Sequence, residues 1–407
     1  MIFRYQCSIN MVYFPVLRYL VISIQVCLCL AGGNMTRQDV LNVLLGLTDD
    51  PKYKYDSSIA PDFEMNFPTE VYIQVLVQNI YSVSESSMDY SLDIFFLQKW
   101  TDIRLKYENM TDLEWLEMDN KMMSNVWVPD TYFSNEKKAN VHDVMVPNKM
   151  MHLYSNGTVL YSSRLSLTLS CNMRLQKYPL DDQLCPIIIE SYAYTVDNVI
   201  YHWEEVNRLK ILSDAEMPQF QAKVDNTLSD KCSKPHTETF IRLRRKVGYY
   251  IVQVFVPSIL IVVLSWVSFW VDHDAVAARI SLGVLTVLTM TTQSSGAKQS
   301  LPQVSYVKAI DVWMFTCLLF VFAALVEYSY VNIVARKRTK ALLASRQLEL
   351  LPENGLGDTF KKAKLVSHHT HLAARRVDKV SRFVFPLLFL IFNLAFWTYY
   401  HLIPSPD

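Results

Sequence analysis

Four long apolar runs in the second half of the chain constrain its fold most strongly. They cover residues 249–271, 277–296, 307–333 and 383–403. Each is long enough to cross the roughly 30 Å hydrocarbon core of a bilayer as a helix. A helix also satisfies its own backbone polar groups, which hydrocarbon cannot do. The sequence therefore predicts a bundle of four transmembrane helices.

The second run carries hydroxyl side chains along its whole length. Hydrocarbon penalises polar groups that lack a partner, so one side of this helix is expected to face water. Each residue of a helix is rotated by about 100° from the one before it. On this helix a narrow stripe of side chains therefore lies on the face opposite Gly283, Val287 and Met290. The predicted lining residues are Ala277, Ser281, Leu285, Leu288, Thr292 and Ser295. This face of the helix is predicted to line a water-filled pore.

The first 33 residues are typical of a signal peptide. Arg4 and Arg18 flank the apolar stretch 19–30, which ends in small residues, and cleavage is expected near Gly33. A fifth transmembrane helix is the alternative interpretation. In both cases the segment that follows is exported.

Three N-x-[ST] sequons begin at Asn34, Asn109 and Asn156, and none lies beyond the first apolar run of the second half. A single sequon carries little information, but this one-sided placement fits an extracytoplasmic segment. The sequence therefore predicts that the first half is extracellular and glycosylated.

Short alternating segments dominate the exported half. Residues 70–81 and 88–100 alternate apolar and polar side chains, which predicts two half-buried antiparallel strands. Asn156-Gly157 is a tight hairpin signal. The other predicted strands are 149–156, 158–170, 183–191, 199–203 and 237–245. Strands of this length without helical interruption indicate a β-sandwich of about 200 residues. A short helix, with Thr36 as its N-cap and Asp39 in the capping-box position, is predicted before them.

Lys and Arg are concentrated between the third and fourth apolar runs, which marks the cytoplasmic side of a membrane. Four spans then place the C-terminus outside, on the side of the sequons. The predicted organisation is a signal peptide (1–33), an extracellular β-sandwich (34–246), three transmembrane helices (247–334), a cytoplasmic loop (335–380), and a fourth transmembrane helix with a short extracellular tail (381–407).

The balance of 39 Lys plus Arg against 39 Asp plus Glu gives no support for a nucleic-acid partner. The sequence contains no nucleophile elbow, zinc-ligand spacing or phosphate loop. We therefore expect a membrane protein that is not an enzyme and that needs no cofactor or metal.

Cys171 and Cys185 enclose 13 residues in the exported half. In an oxidising compartment a disulfide between them is the natural interpretation, whereas zinc ligation would need further His or Cys residues nearby. Cys232 is then left without a partner.

The loop between these cysteines has an aromatic-Pro-x-Asp tip, Tyr178-Pro179-Leu180-Asp181. Further motifs are Trp127-Val128-Pro129-Asp130, Ala278-Arg279 before the Thr-rich helix, and 300–306. In these motifs the chain resembles the Cys-loop receptors, which are pentameric ligand-gated ion channels, from about Val71 to its end. Within that family, 289–296 and 307–313 are most similar to the anion-selective branch of GABA type A and glycine receptors.

The resemblance implies a β-sandwich extracellular domain followed by a four-helix transmembrane bundle, in the pentameric ligand-gated ion channel architecture. The predicted partners are a small extracellular agonist, chloride ions, the lipid bilayer and four further subunits, identical or related. We expect a multi-pass protein of the plasma membrane, and a postsynaptic membrane is among the expected locations.

In this family, agonists bind between subunits in a box of aromatic residues around an amine, where each well-placed ring contributes about 0.5 to 2 kcal/mol. The motif match assigns Tyr132, Glu190, Ser191 and Tyr192 to one face of the ligand site and Ser162 with Arg164 to the other. Relatives that bind amino acids carry an Arg where this chain has Leu97. We therefore expect that GABA, glycine or glutamate does not open a homomer.

The resemblance also implies that Tyr178, Pro179 and Asp181 couple the β-sandwich to the membrane domain. The expected partners of this loop tip are the linker 298–304 and the basic segment 242–246, which begins with Arg242.

Cation-selective relatives have a Glu at the inner end of the pore helix, where this chain has Ala277-Ala278. With five copies around an axis, Arg279 and Lys298 would raise the anion concentration at the two mouths. An interfacial anchor is the alternative role for Arg279. Leu285 replaces the Thr of relatives and, with Leu288, forms a longer dry belt, which predicts a firmly closed resting pore.

Several functions stay open. The stimulus is an amine without a carboxylate, or it is pH or a divalent ion sensed by His142, His236 and Asp230. Alternatively, the ligand pocket needs a partner subunit. A cation-conducting channel and a non-conducting adhesion or accessory subunit are the competing classes.

Overall fold

The computed structural model describes residues 35–47, 55–65, 67–108, 110–212, 217–225, 237–271, 275–299, 301–349 and 357–402. A β-rich half is followed by four helices that are long and apolar enough to cross a membrane. The predicted fold class is confirmed. The predicted signal peptide, Asn34, Asn109, Asp230, Cys232 and His236 lie outside the described residues.

The β-rich half begins with the predicted short helix, α1 (Arg37–Leu44). Thr36 is its N-cap and accepts a hydrogen bond from the backbone N–H of Asp39, as the capping pattern predicts. The strands that follow are numbered in chain order. They are β1 (Thr69–Ser84), β2 (Asp89–Thr101), β3 (Trp115–Glu117), β4 (Thr131–Phe133), β5 (Glu136–Val141), β6 (Asp143–Val144), β7 (Val146–Pro147), β8 (Lys149–Tyr154), β9 (Thr158–Ser170), β10 (Asp182–Ser191), β11 (Val199–Trp203), β12 (Leu209–Ile211), β13 (Phe220–Asp225) and β14 (Thr237–Arg245).

The larger sheet has the order β11-β1-β2-β9-β8-β3, with β12 also paired to β1 and β5 to β9. Alternate residues of β1, such as Val71, Ile73 and Val75, are fully buried, as the alternating sequence predicts. The smaller sheet has the order β13-β14-β10-β4. Contacts between the two sheets include the edge-on rings of Phe96 and Phe133.

The predicted Asn-Gly hairpin joins β8 to β9. Gly157 has φ of +88°, a conformation that favours glycine, and a Cβ there would lie 2.5 Å from the backbone oxygen of Asp102. Asn156 is exposed beside it, and its side-chain oxygen accepts a hydrogen bond from the backbone of Thr158. Glycosylation of Asn156 stays a prediction at a surface-exposed position.

The four spans are Gly248–Phe269, Val276–Lys298, Ala309–Val334 and Arg376–Tyr400, called the first to fourth spans below. The third lies within the helix Ala309–Glu349 and the fourth within the helix Gly357–Leu402. The centre of the bundle is aromatic, with Trp313 packed against Phe255 and Phe396 at ring-centroid distances of 4.9 and 5.0 Å. The Trp313 indole N–H donates to Ser258 at 2.8 Å, which satisfies this buried donor.

The second span packs closely against the third. Its buried residues are Arg279, Gly283, Thr286 and Met290. A Cβ at Gly283 would lie 2.4 Å from the Cδ1 atom of Leu325, so a larger residue there would require the Leu325 side chain to move.

Candidate functional site

Two tyrosines and a glutamate form a partly exposed cluster at the edge of the smaller sheet. Tyr132 on β4 and Glu190 on β10 are cross-strand partners, and the Tyr132 hydroxyl donates to the Glu190 carboxylate at 2.8 Å. Tyr192 meets Tyr132 edge to face at a centroid distance of 5.7 Å and is 84% exposed. The hydrogen bond to Glu190 raises the pKa of the Tyr132 phenol, because the carboxylate stabilises its protonated form. We call these three residues the aromatic cluster.

The chain behind the aromatic cluster is held by Asp130. This carboxylate accepts hydrogen bonds from the Ser191 hydroxyl, at 2.5 Å, and from the backbone N–H of Ala193. The Ser191 oxygen in turn accepts from the backbone of Tyr194, whose hydroxyl accepts from the Trp127 indole at 3.1 Å. Ser191 and Tyr194 therefore have structural partners in the sandwich, and Tyr192 is the ring that projects outward.

A second set of predicted residues lies on the larger sheet, where β2 and β9 run side by side. Leu97 pairs with Ser162 and Phe95 with Arg164 across these strands. The Arg164 guanidinium lies 6.0 Å from the centre of the Phe95 ring. Its Nε is buried and has no hydrogen-bond partner among the described residues. We call these four residues the β2/β9 patch.

Phe95 is a member of the β2/β9 patch that the sequence analysis missed. The signal for it was present, because residues two apart on a strand share a face and Phe95 precedes Leu97 by two. A cavity of about 590 Å³ opens on the same side, and its lining includes Leu97, Lys99 and Glu204. The Lys99 and Glu204 side chains are 3.8 Å apart at its edge.

His142 has the acidic neighbour that a pH sensor would need. Its Nε2 lies 2.7 Å from the Ser166 hydroxyl, and Ser166 also donates a short hydrogen bond to Asp93. The His142 and Asp93 side chains are 4.0 Å apart. Asp93 is two residues before Phe95, so this group adjoins the β2/β9 patch. Among the described residues, no group of three or more His, Cys, Asp or Glu could hold a metal ion.

The aromatic cluster and the β2/β9 patch lie on different sheets of one chain. The structure brings Tyr132, Glu190 and Tyr192 together, and it brings Ser162 and Arg164 together with Leu97. Tyr132 and Glu190 lie on β4 and β10 of the smaller sheet, whereas Ser162, Arg164 and Leu97 lie on β9 and β2 of the larger one.

The predicted disulfide between Cys171 and Cys185 is present, with Cα atoms 5.1 Å apart. In the chain-entropy model, closing a loop of this size contributes about 3 kcal/mol of stability. At the loop tip, Asp181 is buried and forms a two-pronged ion pair with Arg245, at 2.7 and 3.1 Å.

Arg245 is the centre of the contacts around this loop, and the sequence analysis did not single it out. It also pairs with Glu85 at 2.5 Å and lies over the rings of Tyr178 and Phe220. Burial alone would lower the pKa of Arg245, but the hydrogen bond and charge of Asp181 outweigh burial and raise it. The predicted coupling residue Arg242 instead pairs with Asp182 at 3.1 Å and is half exposed.

The cysteine loop also caps the third span. The backbone N–H groups of Ala309 and Ile310, which have no partner within their own helix, donate to the carbonyls of Gln176 and Tyr178 at 2.9 and 3.1 Å. The Tyr306 hydroxyl accepts from the backbone of Leu175. The described contacts thus fall on residues 306–310 rather than on the expected linker 298–304. Burial, and the hydrogen bond to Tyr250, raise the pKa of Tyr178.

The predicted pore stripe of the second span is exposed in the single chain. This holds for Ala277, Ser281, Leu285, Leu288, Thr292 and Ser295. The hydroxyls of Ser281 and Thr292 donate to backbone carbonyls one turn earlier, so their remaining lone pairs face outward. This arrangement suits a water-facing stripe, and pore lining stays a prediction.

Arg279 does not lie where the sequence analysis expected it. It is 1% exposed, and its guanidinium forms a two-pronged ion pair with Asp378 of the fourth span at 3.0 and 3.2 Å. It also donates to the carbonyl of Val271. The expected placement as a free cation at the pore mouth, or as an interfacial anchor, is therefore corrected. A carboxylate 99 residues away in sequence holds the side chain inside the bundle.

Lys298 at the other end of the second span is half exposed and lies 3.2 Å from Asp311. Both cations that were predicted to attract anions therefore have acidic partners.

Comparison with protein-family models gives two matches. Residues 45–253 match the neurotransmitter-gated ion-channel ligand binding domain. Residues 254–353 match the neurotransmitter-gated ion-channel transmembrane region. The first match covers the strands that carry the aromatic cluster and the β2/β9 patch, and the second covers the second and third spans. The boundary between them falls within the first span.

Proposed function

This chain belongs to the neurotransmitter-gated ion-channel family, and from that premise we propose that it is a subunit of an anion-selective channel opened by an extracellular amine. The family is one of receptors and channels, not of enzymes. It implies a small agonist and pentameric assembly in a lipid membrane. The choice of ion, the class of agonist and the subunit composition are our proposals.

Anion selectivity rests on one observation, the lack of Asp and Glu on the second span. Residues 275–299 contain neither, and the nearest preceding acids are Asp272 and Asp274. A ring of carboxylates facing the pore is the feature that favours cations. Because Arg279 is buried and Lys298 is paired, we assign the preference to this lack of acidic rings rather than to rings of free cations.

The test is a current recording under ion substitution. Replacing external chloride with gluconate should move the reversal potential to more positive voltages, and replacing sodium with N-methyl-D-glucamine should leave it in place. The opposite pattern would identify a cation channel and would contradict the proposal.

The aromatic cluster supports an amine as the agonist. An ammonium beside the Tyr132 and Tyr192 rings would gain cation–π attraction and a counter-charge from Glu190. Leu97 offers no charge for a ligand carboxylate, and Arg164 of the same β2/β9 patch lies over the Phe95 ring with its Nε buried, which favours an amine without a carboxylate. Because the two sets lie on different sheets, the pocket would form where the aromatic cluster of one subunit faces the β2/β9 patch of the next.

A panel of biogenic amines and amino acids, applied to oocytes that express the chain alone, tests the agonist class. An amine response should weaken about 10- to 100-fold in potency in Glu190→Gln, because a hydrogen bond to a charged group is worth about 1.5 to 3 kcal/mol. Glu136→Gln, on the exposed strand β5, is the matched control and should keep its potency. A response to amino acids that survives Glu190→Gln would contradict the proposed site. Failure of the homomer at the cell surface to respond, with a response on adding a related subunit, would assign the site to a heteromer.

His142 favours a second candidate stimulus, the proton. Protonation would place a cation 4.0 Å from Asp93, beside the β2/β9 patch. A step of the external pH from about 8 to about 5 should therefore evoke or modulate current. His142→Gln should abolish the effect, and His152→Gln, which removes a histidine stacked on Trp115, should preserve it. Equal effects of the two substitutions would exclude His142 as the sensor.

A further inference from the structure

The first span is irregular at the depth where it passes the outer half of the second span. Its helix contains a π-helical turn, Ile251–Phe255, and then continues as Val256–Trp266 with Pro257 in its first turn. Proline has no backbone N–H, so a carbonyl one helical turn before it loses its donor. In α-helical bonding that carbonyl belongs to Gln253 and in π-helical bonding to Val252, and these two carbonyls share the missing donor where the π-helical turn passes into the α-helix.

A side chain of the second span supplies a donor. The Gln293 amide nitrogen donates to the Gln253 carbonyl at 3.0 Å. A carbonyl without a donor is costly in an apolar environment, and donors from neighbouring helices are what makes proline tolerable in a membrane helix. The hydrogen bond therefore supplies a donor at a turn of the helix where Pro257 cannot, although it joins two other residues.

This hydrogen bond connects two regions that channel opening must link. Gln293 directly follows Thr292 of the predicted pore stripe. Three residues before Gln253, the Tyr250 hydroxyl accepts a hydrogen bond of 2.7 Å from Tyr178 at the tip of the cysteine loop. One short segment of the first span thus contacts both the extracellular loop and the second span.

We propose that Gln293 is a positioning residue for channel opening: its hydrogen bond to the Gln253 carbonyl, one helical turn before Pro257, transmits movement of the first span to the outer half of the second span. The proposal requires a ligand-gated channel, which the family establishes, and it holds for any agonist and either ion charge. It predicts that the effect of a Gln293 substitution on channel opening depends on Pro257 and not on the side chain of Gln253.

The test is a double-mutant cycle that needs no agonist. Leu288→Ser places a hydroxyl in the predicted dry belt and provides a background in which the conductance of unliganded channels is recorded per surface receptor. Three variants are made in this background. Gln293→Met keeps the side-chain length and removes the donor, and Pro257→Ala restores a backbone N–H. The third variant combines both substitutions. Gln253→Met is the matched control, since it makes the same change at the other end of the bond and leaves the carbonyl intact.

Gln293→Met should change the unliganded conductance about 2- to 10-fold, the range that one hydrogen bond of ordinary strength supplies. The sign of the change shows whether the open or the closed channel keeps the bond. Gln253→Met should have no effect, and the double variant should equal Pro257→Ala alone. Equal effects of Gln293→Met and Gln253→Met, or a Gln293→Met effect that persists undiminished beside Pro257→Ala, would overturn the proposal.

A second measurement covers the case in which Pro257→Ala does not reach the surface. In Leu288→Ser channels that retain Pro257, Gln293→Glu keeps a hydrogen-bond acceptor and lacks a donor. It should therefore shift the unliganded conductance at least as far as Gln293→Met. Gln293→His, which retains an N–H, should restore part of the wild-type value. If methionine, glutamate and histidine all gave the same conductance, the donor would be irrelevant and the proposal would fail.

Discussion

The two ends of the second span are held in different ways. At one end, Arg279 is buried and joined by two hydrogen bonds to Asp378 of the fourth span. At the other end, Lys298 is half exposed beside Asp311, and Gln293 makes a single hydrogen bond to the first span. Breaking a buried ion pair costs about 3 to 5 kcal/mol, whereas an exposed pair contributes about 0 to 1 kcal/mol. The difference indicates a helix fixed at the Arg279 end and freer to move at the Lys298 end, where it adjoins the extracellular domain.

The largest predicted effect is that of Arg279→Gln. The change leaves Asp378, and the nearby Glu327, buried without their cation, so we expect a loss of about 3 to 5 kcal/mol in stability. Thermal unfolding of the detergent-purified protein and the fraction of protein at the cell surface measure it. Arg279→Gln with a wild-type unfolding temperature would show that the Arg279 end is not fixed by this ion pair.

Leu285→Thr is predicted to have the next largest effect, on opening rather than on stability. Leu285 and Leu288 are both exposed on the predicted pore stripe, and a dry belt closes a pore by excluding water. A free-energy change of about 1.4 kcal/mol shifts the equilibrium between the closed and the open pore tenfold. This is less than the free energy of transferring one leucine side chain out of water. We expect unliganded conductance per surface receptor to rise about tenfold or more. Ile280→Thr, also exposed but about 60° beyond the edge of the stripe, is the control, and an equal rise there would remove the pore assignment.

Lys298→Gln is predicted to have the smallest effect and is the counterpart of Arg279→Gln. Both substitutions remove one positive charge from the same helix. Because Lys298 is half exposed, the stability change should not exceed about 1 kcal/mol. Ion preference, read from the reversal potential, should also persist, since we assign it to the missing acidic rings. A large loss of stability at Lys298 would abolish the contrast between the two ends.

The sequence predicted much of the β-sandwich because alternation and turn chemistry are local. The long strands β1, β2 and β9 of the larger sheet follow from side chains that alternate over a dozen residues, and the β8–β9 hairpin follows from Asn156-Gly157. Short strands such as β4 were missed, since three residues are too few to show a period. Tyr132, which β4 carries, was found only through its motif.

The contacts of the ionisable side chains were predicted less well. Arg279 was expected at a pore mouth because a cation at a helix end usually faces water, and Arg242 was expected to contact the loop tip that Arg245 contacts instead. In both cases the deciding partner is distant in sequence, Asp378 in one and Asp181 in the other. No local pattern reports such a pairing.

The sequence by itself determined a β-rich exported half, four spans, a disulfide loop and a second span with a polar stripe. These follow from periodicity, run length and cysteine spacing, which are properties of neighbouring residues. Only the tertiary structure decided that Arg279 is paired with Asp378 inside the bundle, that the cysteine loop caps the third span, and that Gln293 donates to the carbonyl of Gln253. Buried charges and orphaned backbone groups must find partners wherever the fold provides them, and the fold brings those partners from any point along the chain.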